Sequence, residues 1–320
     1  MSSRVLLLAM TLMLIPSVYA QSCGDLVLTV RGLQSPAFDE YYQLNDMKQD
    51  ALLILYGRER ATCPEEVIGL SSSTIEFIED FSVAYNLSRS EARVDRVDAL
   101  EKSVKLVGSA AALSRYTLGI EAEDLINSAQ QASREFLIIQ GKAFLSKAES
   151  ASATKDKIFN YKQATVAYEA AGETLEAANL RMKWKALEES YSRDMEKADV
   201  QFVAGESKYS LAKQLLSRDI FSRIEAYTLT REASIHFEKA AVYYEYHREQ
   251  EKIRDTVGEI SATANTLQEL RNNIGLYFAI SGIALLGVAL FLINRLKAWN
   301  NDAYDYNLGN ELVQVSTGET

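Results

Sequence analysis

The sequence predicts an all-α protein with a single membrane-spanning helix near its C-terminus, and three observations carry that prediction. All three prolines lie at or before position 64, so the following 256 residues contain none. Proline is the commonest interruption of a helix, and its absence permits long continuous helices. Small and aromatic residues recur at near-constant intervals through the middle of the chain. Finally, residues 274–293, IGLYFAISGIALLGVALFLI, are twenty consecutive residues without a charge.

Residues 1–20, MSSRVLLLAMTLMLIPSVYA, have the order of a secretory signal peptide: Arg4, an apolar run from Val5 to Ile15, Pro16, and Val18-Tyr19-Ala20. Cleavage is expected after Ala20, which places the following residues outside the cytoplasm. The run is short for an uncleaved anchor. Cys23 and Cys63, 40 residues apart, are the only cysteines. Exported thiols oxidise, and with no second pair to build a metal site a disulfide is the economical reading. A lipid on Cys23 is the rival, but Ala20-Gln21-Ser22 is a poor signal for it. Asn86-Leu87-Ser88 is the one glycosylation sequon and suggests that Asn86 lies on an exported surface.

Residues 21–114 form an N-terminal helical region. Asp25 to Arg31, DLVLTVR, alternates apolar and polar residues like a short strand. Ser35-Pro36 places a capping oxygen before a proline suited to the first helical turn, predicting a helix to about Tyr56. Ser73-Thr74-Ile75-Glu76 and Ser88-Arg89-Ser90-Glu91 both read as capping boxes that open helices. The second opens onto Val94, Val97, Leu100, Val104, Val107 and Ala111, a one-sided stripe at helical period.

Between residues 115 and 250 the pattern is repetitive. Ala132 and Phe136, Ala164 and Tyr168, Ala198 and Phe202, and Ala233 and Phe237 recur at spacings of 32, 34 and 35, followed three positions later by Ile139, Ala171, Gly205 and Ala240. A small residue lets a neighbouring helix approach, and an aromatic one turn further fills the groove between them. These residues resemble the second-helix signature of the tetratricopeptide repeat family, most closely from Ala233 to Ala240 and next from Ala164 to Ala171. The family's first-helix signature has a counterpart at Tyr116-Thr117-Leu118-Gly119, one residue out of register, and no proline closes a repeat. The resemblance implies stacked helical hairpins with a concave surface for a peptide or partner helix, and no chemistry. A plain antiparallel helical bundle remains the alternative.

Residues 251–273 carry a heptad stripe at Ile253, Val257, Ile260, Ala264 and Leu267, which predicts a helical stalk leading into the span. The stripe can pair with a second copy of the chain or pack back on the preceding helices. Residues 274–293 are long enough to cross the hydrocarbon core. Arg295 and Lys297 then place residues 294–320 in the cytoplasm as a short tail. Gly275, Ala279, Gly282 and Ala289 share one face of the span and permit close helix contact, as in a homodimer.

Chemistry is hard to find. A net charge of −10 and a pI of about 5.0 argue against nucleic-acid binding, which needs a basic stripe. His236 and His247 are eleven residues apart, about 16 Å along a helix, too far to share one metal ion. Glu232 and His236 stand at i,i+4, a spacing that is ordinarily a surface ion pair. Motifs for nucleotide-cradling loops, a serine-hydrolase elbow or a zinc protease do not occur, and nothing in the sequence requires a cofactor. The second half is rich in tyrosine, a residue favoured at interfaces. Tyr209, Tyr227, Tyr243 and Tyr246 are the candidate partner surface. The expected role is a single-pass, exported scaffold that binds a protein, with a transducer acting through the stalk as the alternative and an enzyme with an unrecognised site as the second.

Overall fold

The structure, a computed structural model, describes residues 22–56, 63–116 and 118–316, and of residues 301–316 the backbone alone. The expected signal peptide, residues 1–20, lies outside the described residues. Among them the chain is entirely helical, as its proline-free length predicts: α1 (Cys23–Gly32), a 3-10 turn (Pro36–Asp39), α2 (Tyr42–Tyr56), α3 (Glu65–Ser88), α4 (Arg93–Leu113), α5 (Ile120–Ser150), α6 (Thr154–Ala170), α7 (Thr174–Leu215), α8 (Ile220–His247) and α9 (Gln250–Ser316). Two compact units divide at Tyr191 and Ser192, within α7.

The first unit is organised around α3 and α5. α3 packs on α4, and α5 packs on α2, α4 and α6. Its centre is a group of aromatic rings, with Tyr41 5.0 Å from Phe81 and Phe81 4.8 Å from Phe136 between ring centroids. The Cys23 and Cys63 sulfurs stand at bonding distance, 1.95 Å, tying α1 to the residues just before α3.

Several local expectations for this unit are corrected. Residues 25–31 are helical, not a strand: Cys23, Leu26, Val27 and Val30 point inward at helical spacing while Leu28 is exposed. Alternation over seven residues fits both periods, and the exposure of Leu28 decides between them. Ser22 caps this helix, its Oγ accepting from the Asp25 N–H at 3.1 Å. Ser35 accepts from the Ala37 N–H as expected, but it opens only the 3-10 turn, and α2 starts anew at Tyr42.

Ser73 to Glu76 opens nothing, because α3 already runs from Glu65, where burial of Val67 and Leu70 extends it backward. Ser90, rather than Ser88, organises the turn before α4: its Oγ accepts from the Ala92 N–H and donates to Asp95 at 2.6 Å. The buried face of α4 is Ala99, Leu100, Ser103, Leu106, Ala110 and Leu113, whereas Val94 and Ala111 are exposed. The stripe of valines misled because the true inner face contains small and polar residues.

The recurring small and aromatic positions fall in four consecutive helices, α5, α6, α7 and α8, one helix per period. A tetratricopeptide-type hairpin would supply two. Ala132, Phe136, Ala164, Tyr168, Ala171, Ala198, Ala233, Phe237 and Ala240 are buried. Ile139 is exposed. The packing rationale holds in each unit. The Tyr168 ring lies over Gly141, where an added Cβ would be 3.1 Å away, and the Phe237 ring lies over Gly205.

In the second unit, α8 packs on α9 and on the C-terminal part of α7. Residues 251–273 therefore pack back on α8 rather than standing as a free stalk. The buried seam of α9 is Thr256, Thr263 and Leu270, with Ile260 and Leu267 beside it. Val257 and Ala264, read as part of the heptad stripe, face outward. The heptad of apolar residues differs in phase from the true seam because two of the seam's three buried positions are threonines. Their hydroxyls bond back to their own helix, Thr256 to the Lys252 carbonyl and Thr263 to that of Ile260, so that the methyl groups can pack inward.

α9 is one continuous helix of 67 residues, about 100 Å long at 1.5 Å per residue. It is long and apolar enough to cross a membrane. Leu276, Phe278, Ile283, Leu286, Leu290 and Ile293 are all exposed, which suits a lipid-facing helix and not the core helix of a globular domain. The region expected as a tail continues as helix to Ser316.

Candidate partner surface

The rotation of α8 is set by polar side chains reaching it from α7 and α9. His236 Nδ1 stands 2.8 Å from Gln201 Oε1, and His247 Nε2 stands 3.3 Å from Asp194 Oδ2 with its ring 1% exposed. Both histidines thus serve the packing of α8 on α7. Glu232 forms its ion pair with Lys208 of α7.

Asp199 Oδ1 accepts from the Tyr244 phenol at 2.6 Å and from the Lys252 ammonium of α9, joining three helices at one carboxylate. Burial raises the Asp199 pKa, but the bonds from Lys252 and Tyr244 outweigh it and hold the group below the usual carboxylate range. Burial, followed by the bond to Asp199, pushes the Tyr244 phenol upward, so it stays protonated as the donor.

This rotation buries Ala226, Thr230, Ala233, Phe237, Ala240, Ala241, Tyr244 and His247. On roughly the opposite side, Phe221, Ile224, Ile235, Val242 and Tyr246 fall within about 60° of one another at 100° per residue. All five are exposed, Phe221 at 79%, Val242 at 64% and Tyr246 at 75%. Thr228 and Lys239 share that arc and are exposed as well, so the helix buries one apolar face and leaves a mainly apolar stripe on the other side. An ordinary surface helix has a single apolar stripe, and exposed apolar residues gathered on one side of a helix suit an interaction surface.

The four tyrosines expected on a partner surface divide. Tyr246 lies on the outer face of α8, while Tyr227 and Tyr243 are half-buried. Tyr209 is corrected: it is 5% exposed and its hydroxyl lies 2.8 Å from Thr266 Oγ1 and 3.1 Å from the Ala262 carbonyl, fastening α7 to α9. The outer stripe itself was missed in the sequence because the inward stripe from Ala233 to His247 accounts for the same segment. Its spacing of three, four and then two sevens, from Phe221 through Ile224, Thr228, Ile235 and Val242, was the available signal.

Asn86 is exposed in the last turn of α3. Gly275, Ala279, Gly282 and Ala289 lie along one side of α9, and a Cβ added to Gly275 or Gly282 would meet nothing within 4 Å. Among the described residues, no three His, Cys, Asp or Glu side chains converge as a metal site. Compared with protein-family models, curated proteins and solved structures, the chain matches none of them.

Proposed function

We propose that this protein is a membrane-anchored helical scaffold that holds a protein partner against the outer face of α8. The carrying observation is that α8 buries one apolar face and exposes a mainly apolar stripe opposite it. The aliphatic side chains of Ile235 and Val242 beside the exposed aromatic ring of Tyr246 fit the composition of protein interfaces. The polar bonds from Gln201, Asp194 and Asp199 hold the face in a fixed orientation, which lowers the entropy lost on docking. The apolar length of α9 supplies the anchor, and the bonded Cys23–Cys63 pair fits an oxidising compartment. With the signal-like segment 1–20 and Arg295 and Lys297 after the span, the reading is a type I protein with its helical units exported.

One helix per small-aromatic period favours a bundle gripped by aromatic side chains over a solenoid of hairpins. The partner then docks on the outside of a helix and not in a concave groove. Affinity capture of the full chain from its native membrane tests this reading. Val242→Glu with Tyr246→Glu should lose a co-purifying partner while the chain's own abundance is unchanged, and retention of every partner would end the proposal.

A second reading draws on the continuity of α9 from Gln250 to Ser316: a shift in the second unit would pass along one helix to the far side of the membrane. A helix-breaking insertion near Thr263 should then abolish an output that depends on the tail.

A further inference from the structure

α8 and α9 run antiparallel in a constant register. Lys252 lies over the Tyr244 ring, Ile260 clusters with Phe237, and Leu270 clusters with Ala226. Five residues beyond the last pair, about 7.5 Å along each helix, Phe221 comes level with Gly275. That is one residue past Ile274, where the uncharged span begins. Ile274 itself packs on the cluster of Ala212, Leu215, Ala226 and Leu270, with Leu216 beside it. The turn between α7 and α8 is thus level with the first turn of the apolar span.

We infer that this turn is a second membrane contact, with Phe221 and Ile220 lying in the bilayer interface beside α9. The inference rests on the reading of α9 as a membrane span. Phe221 is the most exposed apolar side chain of α8 at 79%, and its neighbours match an interfacial position. Arg218 is exposed and Arg223 half-exposed, so both can keep their charge among headgroups while their stems lie along apolar surface. Tyr277 of α9, also exposed, is of the residue type enriched at that depth. Interfacial side chains of this kind lie at the headgroup and acyl boundary, and the register places Phe221 one residue inside the start of the uncharged span. The contact fixes the second unit against the membrane at two points, preventing rotation about α9.

Both native cysteines are bonded to each other, so a new cysteine can carry an environment-sensitive fluorophore. The full chain is reconstituted into phosphatidylcholine and phosphatidylglycerol vesicles as Phe221→Cys, Phe278→Cys or Tyr246→Cys, each labelled in turn. Lipids with a nitroxide near the headgroup end of the acyl chain serve as quencher. A blue shift and loss of emission at positions 221 and 278, with neither at 246, is the expected result. Quenching at 278 without quenching at 221 overturns the second contact and leaves the span standing. Absence of quenching at 278 overturns the span reading and this inference with it, and equal quenching at 246 overturns the register on which it rests.

Discussion

Phe237 of α8 lies directly against Gly205 of α7, so close that a Cβ on residue 205 would sit 2.8 Å from the ring. Phe237 is fully buried and cannot swing aside. This is the small-aromatic repeat in physical form: the aromatic side chain of one helix occupies space that the preceding helix leaves empty.

Gly205→Ala should therefore destabilise the protein, although alanine is the better helix former. Overpacking costs roughly 1–3 kcal/mol, while the gain in helix propensity is about 1 kcal/mol, leaving a net loss of about 1 kcal/mol. At Gly258 of α9 an added Cβ meets nothing within 4 Å, and Gly258→Ala should stabilise by up to about 1 kcal/mol. Thermal unfolding of both variants in detergent micelles should show shifts of opposite sign.

Among the described residues, the connections between helices use a positive φ at Gly119, Gly172 and Arg248. Gly172 (φ 80°) follows α6, and Arg248 (φ 56°) closes α8, where the Glu249 N–H bonds to the Tyr244 carbonyl. A residue with a Cβ pays roughly 1–2 kcal/mol in this conformation, and glycine relieves it at some cost in unfolded-chain entropy. Arg248→Gly should stabilise the protein by up to about 1 kcal/mol and raise its unfolding midpoint, and Gly172→Ala should lower that midpoint.

Asp199 joins Tyr244 and Lys252, and its pKa lies below the ordinary value. Its contribution is fully present above the unfolded carboxylate value near 3.9 and disappears as pH falls through the lower folded value. The Asp199 side chain is 53% exposed, so solvent screening limits the loss in Asp199→Asn to about 1 kcal/mol. The stability difference between wild type and variant should be constant from pH 5 to pH 8 and shrink below pH 4.

Opening the Cys23–Cys63 bond frees a loop spanning 40 residues. The chain-entropy relation gives a cost of about 4 kcal/mol. Denaturant unfolding of the full chain with and without reductant, followed by near-ultraviolet signals, should show a lower midpoint on reduction and an unfolding free energy smaller by that order.

Much of the fold was legible in the sequence because the signals were long. Proline-free length gave continuous helices, and twenty uncharged residues gave the exposed part of α9. Short signals failed where tertiary burial outweighed them: seven alternating residues became helix once Cys23, Leu26 and Val30 turned inward, and Ser73 to Glu76 was absorbed into α3. Of the exposed outer stripe of α8, only Tyr246 was legible in the sequence. Tyr209 was misplaced because a tyrosine's apolar body and polar tip serve equally at an interface or in a core with a bonded hydroxyl. The outward stripe of α8 was hidden by the inward one, since hydrophobic periodicity shows where apolar residues gather, not which face finds a neighbour.

Site-specific photo-crosslinking in the native membrane tests the central proposal most directly. A photoreactive amino acid at Val242, on the outer face of α8, is compared with one at Lys105, whose side chain is 72% exposed on α4. A discrete adduct of defined mass from position 242, absent from position 105 and abolished by Tyr246→Glu, is the predicted result. No adduct at 242, or the same adducts from both positions, would contradict a partner held on α8.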